Sequence, residues 1–213
     1  MKKLILSAVV VLIAITSSAQ SEKYAGAMRS NIAAIDTSYR NPANLLILAN
    51  TFERIGMAEK SQWLPFYYAA LVQVNYGFMI NDVTKNDAIA DKAALLISKA
   101  DSLSPANSEI STIKSMIATL QLMVNPMARY MEYGQVSAGE LEKAIVQDPS
   151  NPRPYYLKGQ SLKYTPEQFG GGCKTAKVQL ETSINKFATF KPVSELHPVW
   201  GKERTQVILQ ECQ

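Results

Sequence analysis

A short pattern that occurs twice restricts this chain more than any other feature: a small residue, a large apolar one, a small one, then proline. It reads Ala93, Ile97, Ala100, Pro105, and again at the same offsets Ser137, Leu141, Ala144, Pro149. Steps of four and three residues put the first three members on one face of a helix. A proline five residues later cannot continue that helix and ends it. A repeated helix with its own terminator marks an α-helical repeat array, and such arrays act mainly by holding a partner.

Helical periodicity extends along the whole chain. Tyr24, Met28, Ile32 and Ile35 form a first stripe. Asn41-Pro42 opens a second helix carrying Leu45, Leu48, Ala49, Phe52 and Ile55, with proline in the first turn where its missing N–H is harmless. Ser61 is the expected N-cap of a third, marked by Trp63, Phe66, Tyr67, Ala70, Leu71 and Val74. The two copies of the pattern lie on a fourth helix (86–102) and a sixth (127–147), with a fifth from Ser108 between them. Gly134 and Gly139 leave the middle of the sixth as a break or a short loop. Asn151 caps a seventh. The eighth repeats the small–large–small spacing as Ala176, Leu180, Ser183, with its proline, Pro192, about a turn late; a ninth is expected to start near Pro198. The fold class is therefore all-α, about nine helices in antiparallel pairs. Packing explains the pattern: small residues let a neighbouring helix come close, and Ile97 or Leu141 fills the groove beside them.

Residues 1–19 read as a separate object. Lys2 and Lys3 precede an apolar stretch from Leu4 to Ile15, and Thr16-Ser17-Ser18-Ala19 supplies the small residues of a cleavage site before Gln20, as in a secretory signal peptide. The run is too short to span a bilayer, and no Cys at the cleavage point offers a lipid anchor. The expected mature protein is one domain, 20–213, exported to the periplasm or beyond. The net charge of +4 includes Lys2 and Lys3, so +2 remains after their removal. Basic residues scattered in ones and twos do not make a nucleic-acid surface.

Cys173 and Cys212 are the only cysteines. In an exported chain an even count suggests a disulfide; the alternative is two buried free thiols. Cys173 opens one expected helix and Cys212 nearly ends the next, so antiparallel neighbours would bring them together.

These residues resemble tetratricopeptide repeats. Trp63 and Tyr67, and Tyr155 with Gly159, suit the first helix of such a unit, and the two copies of the pattern suit the second. The stretches Asn151-Pro152-Arg153, Thr165-Pro166-Glu167-Gln168-Phe169-Gly170-Gly171-Gly172 and His197-Pro198-Val199-Trp200-Gly201 look like a group of exported tetratricopeptide-like proteins from Bacteroidetes. The spacing departs from that family: Pro105 to Pro149 is 44 residues and Pro149 to Pro192 is 43, against about 34 in the family and about 40–47 in HEAT or armadillo arrays. Lys158 also stands where the family has an apolar residue.

Chemistry-bearing motifs are sparse. Gly170-Gly171-Gly172-Cys173-Lys174-Thr175 lacks the uninterrupted Gly-Lys-Ser/Thr of a phosphate loop and follows a helix instead of a strand, so the glycines read as a turn. His197 is the single histidine, which excludes a histidine-cluster metal site. Glu140 and Glu142, two apart, do not share a helix face. No catalytic, cofactor-binding or metal site is expected. The first reading is a non-enzymatic scaffold holding a protein or peptide on its concave face, with Tyr67, Tyr68, Tyr76 and Phe78 as candidate contacts because aromatic rings give area and a polar handle. The alternatives are an envelope hydrolase with Cys173 as nucleophile and His197 as base, and a structural subunit of an envelope complex.

Overall fold

The computed structural model describes residues 22–213; the expected signal segment and its cleavage point lie outside the described residues. Among the described residues there are nine helices and no strand. They are α1 (22–38), α2 (Pro42–Ala58), α3 (Leu64–Met79), α4 (Asn86–Leu103), α5 (Ser108–Leu122), α6 (126–147), α7 (Pro152–Tyr164), α8 (Cys173–Thr189) and α9 (Lys202–Gln210). None is long and apolar enough to cross a membrane.

Asparagine starts four of them. The side chains of Asn41, Asn107, Asn125 and Asn151 accept hydrogen bonds from Ala43 N, Glu109 N, Ala128 N and Arg153 N, which satisfies donors that a helix start leaves unpaired. Helix α3 departs from this rule. It begins at Leu64-Pro65 behind Trp63, which makes no side-chain cap, so Ser61 lies outside the helix it was expected to cap. The glycines in α6 do not break it: a π turn, Tyr130–Gly134, joins two α segments into one continuous rod.

Helix α3 packs between α2 and α4 and touches α5; α5 in turn touches α7. The result is an inner layer of α3, α5 and α7, backed by α4, α6 and α8. All nine small–large–small positions, Ala93/Ile97/Ala100, Ser137/Leu141/Ala144 and Ala176/Leu180/Ser183, are buried at these contacts. The approach is as close as the pattern requires. Gly159 of α7 has no Cβ, and one placed there would stand 2.7 Å from the Leu180 side chain. Ala100 and Ala144 are fully buried, so Ala100→Leu or Ala144→Leu should cost about 1–3 kcal/mol through overpacking. Thermal denaturation reads this, and an unchanged melting curve would refute the packing role.

The end of the chain differs from expectation. No helix starts at Pro198. Residues 190–201 form an irregular strap, and α9 begins only at Lys202. Pro192 and Pro198 push the residues before them toward extended backbone, and Gly201 takes φ 107°, a conformation that favours glycine. The expected disulfide is present. Cys173 at the start of α8 is bonded to Cys212 just beyond α9, with Cα atoms 5.0 Å apart.

Candidate functional site

The strap lies across the inner layer and is held there by a buried polar cluster. Arg153 of α7 is 0% exposed. Its Nη1 donates to Glu109 Oε1 at 2.8 Å and to Asn151 Oδ1 at 3.3 Å, and its Nη2 donates to the Pro198 carbonyl of the strap. The guanidinium also sits 4.8 Å from the Phe190 ring centroid and 5.5 Å from that of Trp200, favourable cation–π placements. Glu109 accepts from Asn151 Nδ2 at 2.8 Å and from Tyr67 OH at 3.1 Å. Tyr67 OH accepts in turn from Trp200 Nε1 at 2.8 Å, and Tyr68 OH donates to the Leu196 carbonyl at 2.9 Å. Burial pushes the Glu109 carboxyl upward, with Arg153, Tyr67 and Asn151 pulling against it. Burial likewise raises Tyr67 and Tyr68 well above the ordinary phenol range.

This geometry relocates the aromatic candidates. Tyr67 and Tyr68 are 0% and 2% exposed and serve as core pillars under the strap. Tyr76 and Phe78 are half-buried and pack against the same core. The part of the inner face around Tyr67 and Tyr68 is covered by Leu196, Pro198 and Trp200 of the chain's own strap. Glu109 is one charge among many in the sequence, and Arg153 stands there only within the Asn151-Pro152-Arg153 stretch, with no local pattern to mark its burial or its partner.

The hydrolase arrangement is not assembled. The Cys173 sulfur is bonded to Cys212, leaving no thiol to ionise. His197 is in the strap, its Nδ1 paired with Ser194 Oγ at 2.8 Å and its ring edge-on to Trp63 at 5.7 Å. The glycine turn offers no anion cradle either: the amides of Gly170, Gly171 and Gly172 all donate to backbone carbonyls of Leu162, Thr165, Pro166 and Glu167. Gly170 and Gly172 take positive φ, so the run turns the chain as expected.

Burial, then the nearby Arg153 charge, lowers the His197 pKa from its ordinary value. A histidine whose folded pKa is depressed adds stability above its unfolded value, near 6.5, and this stability is lost as pH falls through the folded value. The raised Glu109 carboxyl slopes the opposite way: its contribution is present at low pH and lost as pH rises through its folded value. The clean measurement is therefore the difference between wild type and His197→Gln in urea titrations from pH 7.5 to 5. The wild type should lose more stability on acidification; parallel curves would refute the assignment.

Two open slots lie on the surface of the described residues. One of about 280 Å³ lies over α5 between α4 and α6, lined by Ala94, Ile97, Ile117, Ala118 and Val136, with Lys114 at one end paired to Asp101 at 2.7 Å. The other, about 310 Å³, lies where α2, α3 and α4 meet. It is lined by Gly56, Met57, Lys60, Phe66, Lys99 and Leu103 with Ser102. Its floor is the Phe66 ring, seated against Gly56 so closely that a Cβ there would be 2.8 Å from it. Lys99 Nζ stands 5.4 Å from the centroid of that ring and 3.9 Å from Met57 Sδ. Slots that are mainly apolar, with a few polar groups converging on them, are where small ligands bind.

No family model and no curated protein matches the chain. Among solved structures, the HusA haemophore from Porphyromonas gingivalis, a helical Bacteroidetes protein, matches it with a TM-score of 0.81 and 36% identity, over 89% of this chain and 92% of that one.

Proposed function

The chain belongs to the family of the HusA haemophore, and from that premise we propose that it is an exported, non-enzymatic carrier of haem or a related tetrapyrrole. The observation that carries this reading is the 36% identity with a haemophore sustained across nearly the whole chain. Two features agree with it. The surface slots combine apolar walls with lysines, which suits a flat apolar ring bearing carboxylates. The Cys173–Cys212 bond is of the kind that persists in an oxidising compartment.

The helix pairs are read as a tetratricopeptide-like superhelix with a stretched period of 43–44 residues. Export follows the signal-peptide reading, and the mature protein would begin at Gln20. A protein or peptide partner is the competing reading; the strap over the inner face weighs against it.

Titration of the purified protein with haemin, followed at the Soret band and by native mass spectrometry, tests the proposal. Saturable one-to-one binding at micromolar haemin or below is expected. No spectral change and no added mass would sink it.

A further inference from the structure

We propose that the corner between α5 and α6 is a soft-metal site, taking one Cu(I) ion on the thioether sulfurs of Met127 and Met131 with Met123 as a third ligand. The proposal is independent of the haem-carrier reading. Of the chain's eight methionines, four fall between residues 116 and 131. Met116 is buried, whereas Met123, Met127 and Met131 are 41%, 94% and 71% exposed. Methionine ordinarily serves a core as an adaptable gap-filler, and Met127 and Met131 fill no gap.

The corner is built so that these sulfurs face outward. Arg129 is turned toward the protein: its Nη1 and Nη2 donate to Asp87 of α4 at 2.6 Å and 2.8 Å, and Nη1 also donates to the Gln121 carbonyl of α5 at 3.0 Å. Two residues along a helix are a little over half a turn, so Met127 and Met131, one on each side of Arg129, point away from α4 and α5. Four residues apart, they share that outer face. Met131 Sδ also lies 4.0 Å from the Gln135 side-chain amide, which places the sulfur along the same outer stripe. Met123 caps α5 four residues before Met127, with only Val124 and Asn125 between it and the first residue of α6. The two aromatic rings of the segment are engaged elsewhere. Tyr130 folds over Gly134, where a Cβ would stand 3.0 Å from the ring, and Tyr133 stacks on the Arg129 guanidinium at 5.5 Å.

The donor set selects the metal. Neutral thioethers are soft ligands that favour Cu(I) over harder divalent ions. Among the described residues no group of three or more His, Cys, Asp or Glu is arranged to hold a metal, so the outward methionines stand alone as a donor cluster. Both cysteines are joined in the disulfide, and His197 is engaged with Ser194 and Trp63. Met57 is exposed too, but its sulfur is 3.9 Å from the Lys99 ammonium, which repels a metal cation. At the α5–α6 corner the charge has the opposite sense. Arg129 is neutralised by Asp87, and Glu132 beside Met131 then leaves a net negative charge that favours a monovalent cation. A thioether also keeps its ligating form in an oxidising compartment that couples thiols into disulfides.

The test uses silver nitrate as a redox-inert soft ion and Cu(I) supplied anaerobically as its acetonitrile complex. Binding is read by native mass spectrometry, by calorimetry and from the methionine methyl resonances. Saturable one-to-one binding at micromolar metal is expected, with the Met127 and Met131 methyl signals shifting and those of the buried Met28 and Met116 staying in place. Met127→Leu/Met131→Leu keeps the size and helix preference of the side chains and should weaken both ions about tenfold or more. Met123→Leu should weaken them about threefold, and Met57→Leu should not, with melting curves confirming that each variant is folded. Because a thioether has no proton to lose or regain, Ag(I) affinity should be the same at pH 7.5 and pH 5; histidine or carboxylate ligands compete with protons. A double variant that binds as wild type does would overturn the assignment, as would affinity that falls with acidification, which points to Glu132 or His197 instead. No saturable binding of either ion would end the proposal and leave the haem-carrier reading untouched.

Discussion

Arg153→Ala should destabilise the protein by about 3–5 kcal/mol, the range seen when one partner of a buried ion pair is removed. The residue is wholly enclosed, and it is the group through which three elements meet: Glu109 at the start of α5, Asn151 ahead of α7, and the Pro198 carbonyl of the strap. Truncation leaves the Glu109 carboxylate buried with only the neutral donors Asn151 and Tyr67. It also strips the rings of Phe190 and Trp200 of the cation between them. Lysine is not a substitute, since an ammonium cannot reproduce the planar fork that serves Glu109 and Pro198 together.

Urea denaturation followed by tryptophan emission measures the loss. Trp200 lies in the strap and its Nε1 donates to Tyr67, so its signal reports detachment directly. Adding Glu109→Gln to Arg153→Ala should recover part of the loss, because the unpaired charge is then gone. A change below about 1 kcal/mol in the single variant would show that the strap is held by something other than this pair.

What could be read from the sequence, and what could not, divides along a physical line. Apolar periodicity is a local property of a helix, so the nine helices and the buried faces of α4, α6 and α8 followed from spacing alone. The disulfide followed from an even cysteine count in a chain read as exported, with helix order in an antiparallel pair supplying the geometry. Ser61 misled because capping depends on where the chain enters the helix: Leu64-Pro65 starts α3 two residues beyond the reach of its hydroxyl. Pro198 misled for a related reason, since a proline that suits a first helical turn suits an extended strap equally well. Tyr67 and Tyr68 have the composition of a binding surface. Their burial depends on residues about 130 positions later in the chain, which fold back over them, and no local pattern reports that return. The Met57–Lys60–Lys99 slot was equally hidden, because α2 and α4 supply its walls from points about 40 residues apart.

Replacing both cysteines with serine should lower stability by about 4 kcal/mol, the chain-entropy value for a loop the size of the 39-residue separation between Cys173 and Cys212. For a chain of this length that corresponds to a fall in Tm of about 8–16 °C. The structural setting explains why the cross-link matters here. Helix α9 buries only Thr205 and Ile208, a small apolar contact for nine residues, and the ion pair nearest its end joins Glu211, just beyond the helix, to Lys163 of α7. The bond joins the end of that weakly seated helix to the start of α8, and so closes the segment that includes the strap. Thermal melting of the Cys173→Ser/Cys212→Ser protein, beside wild type with and without reductant, gives the number. Hydrogen exchange over residues 190–213 shows where it acts, and protection there should fall furthest. If stability falls by less than about 1 kcal/mol, α9 undocks on its own and the strap is held by the Arg153 cluster alone; the Arg153→Ala protein would then lose the strap even with its disulfide intact.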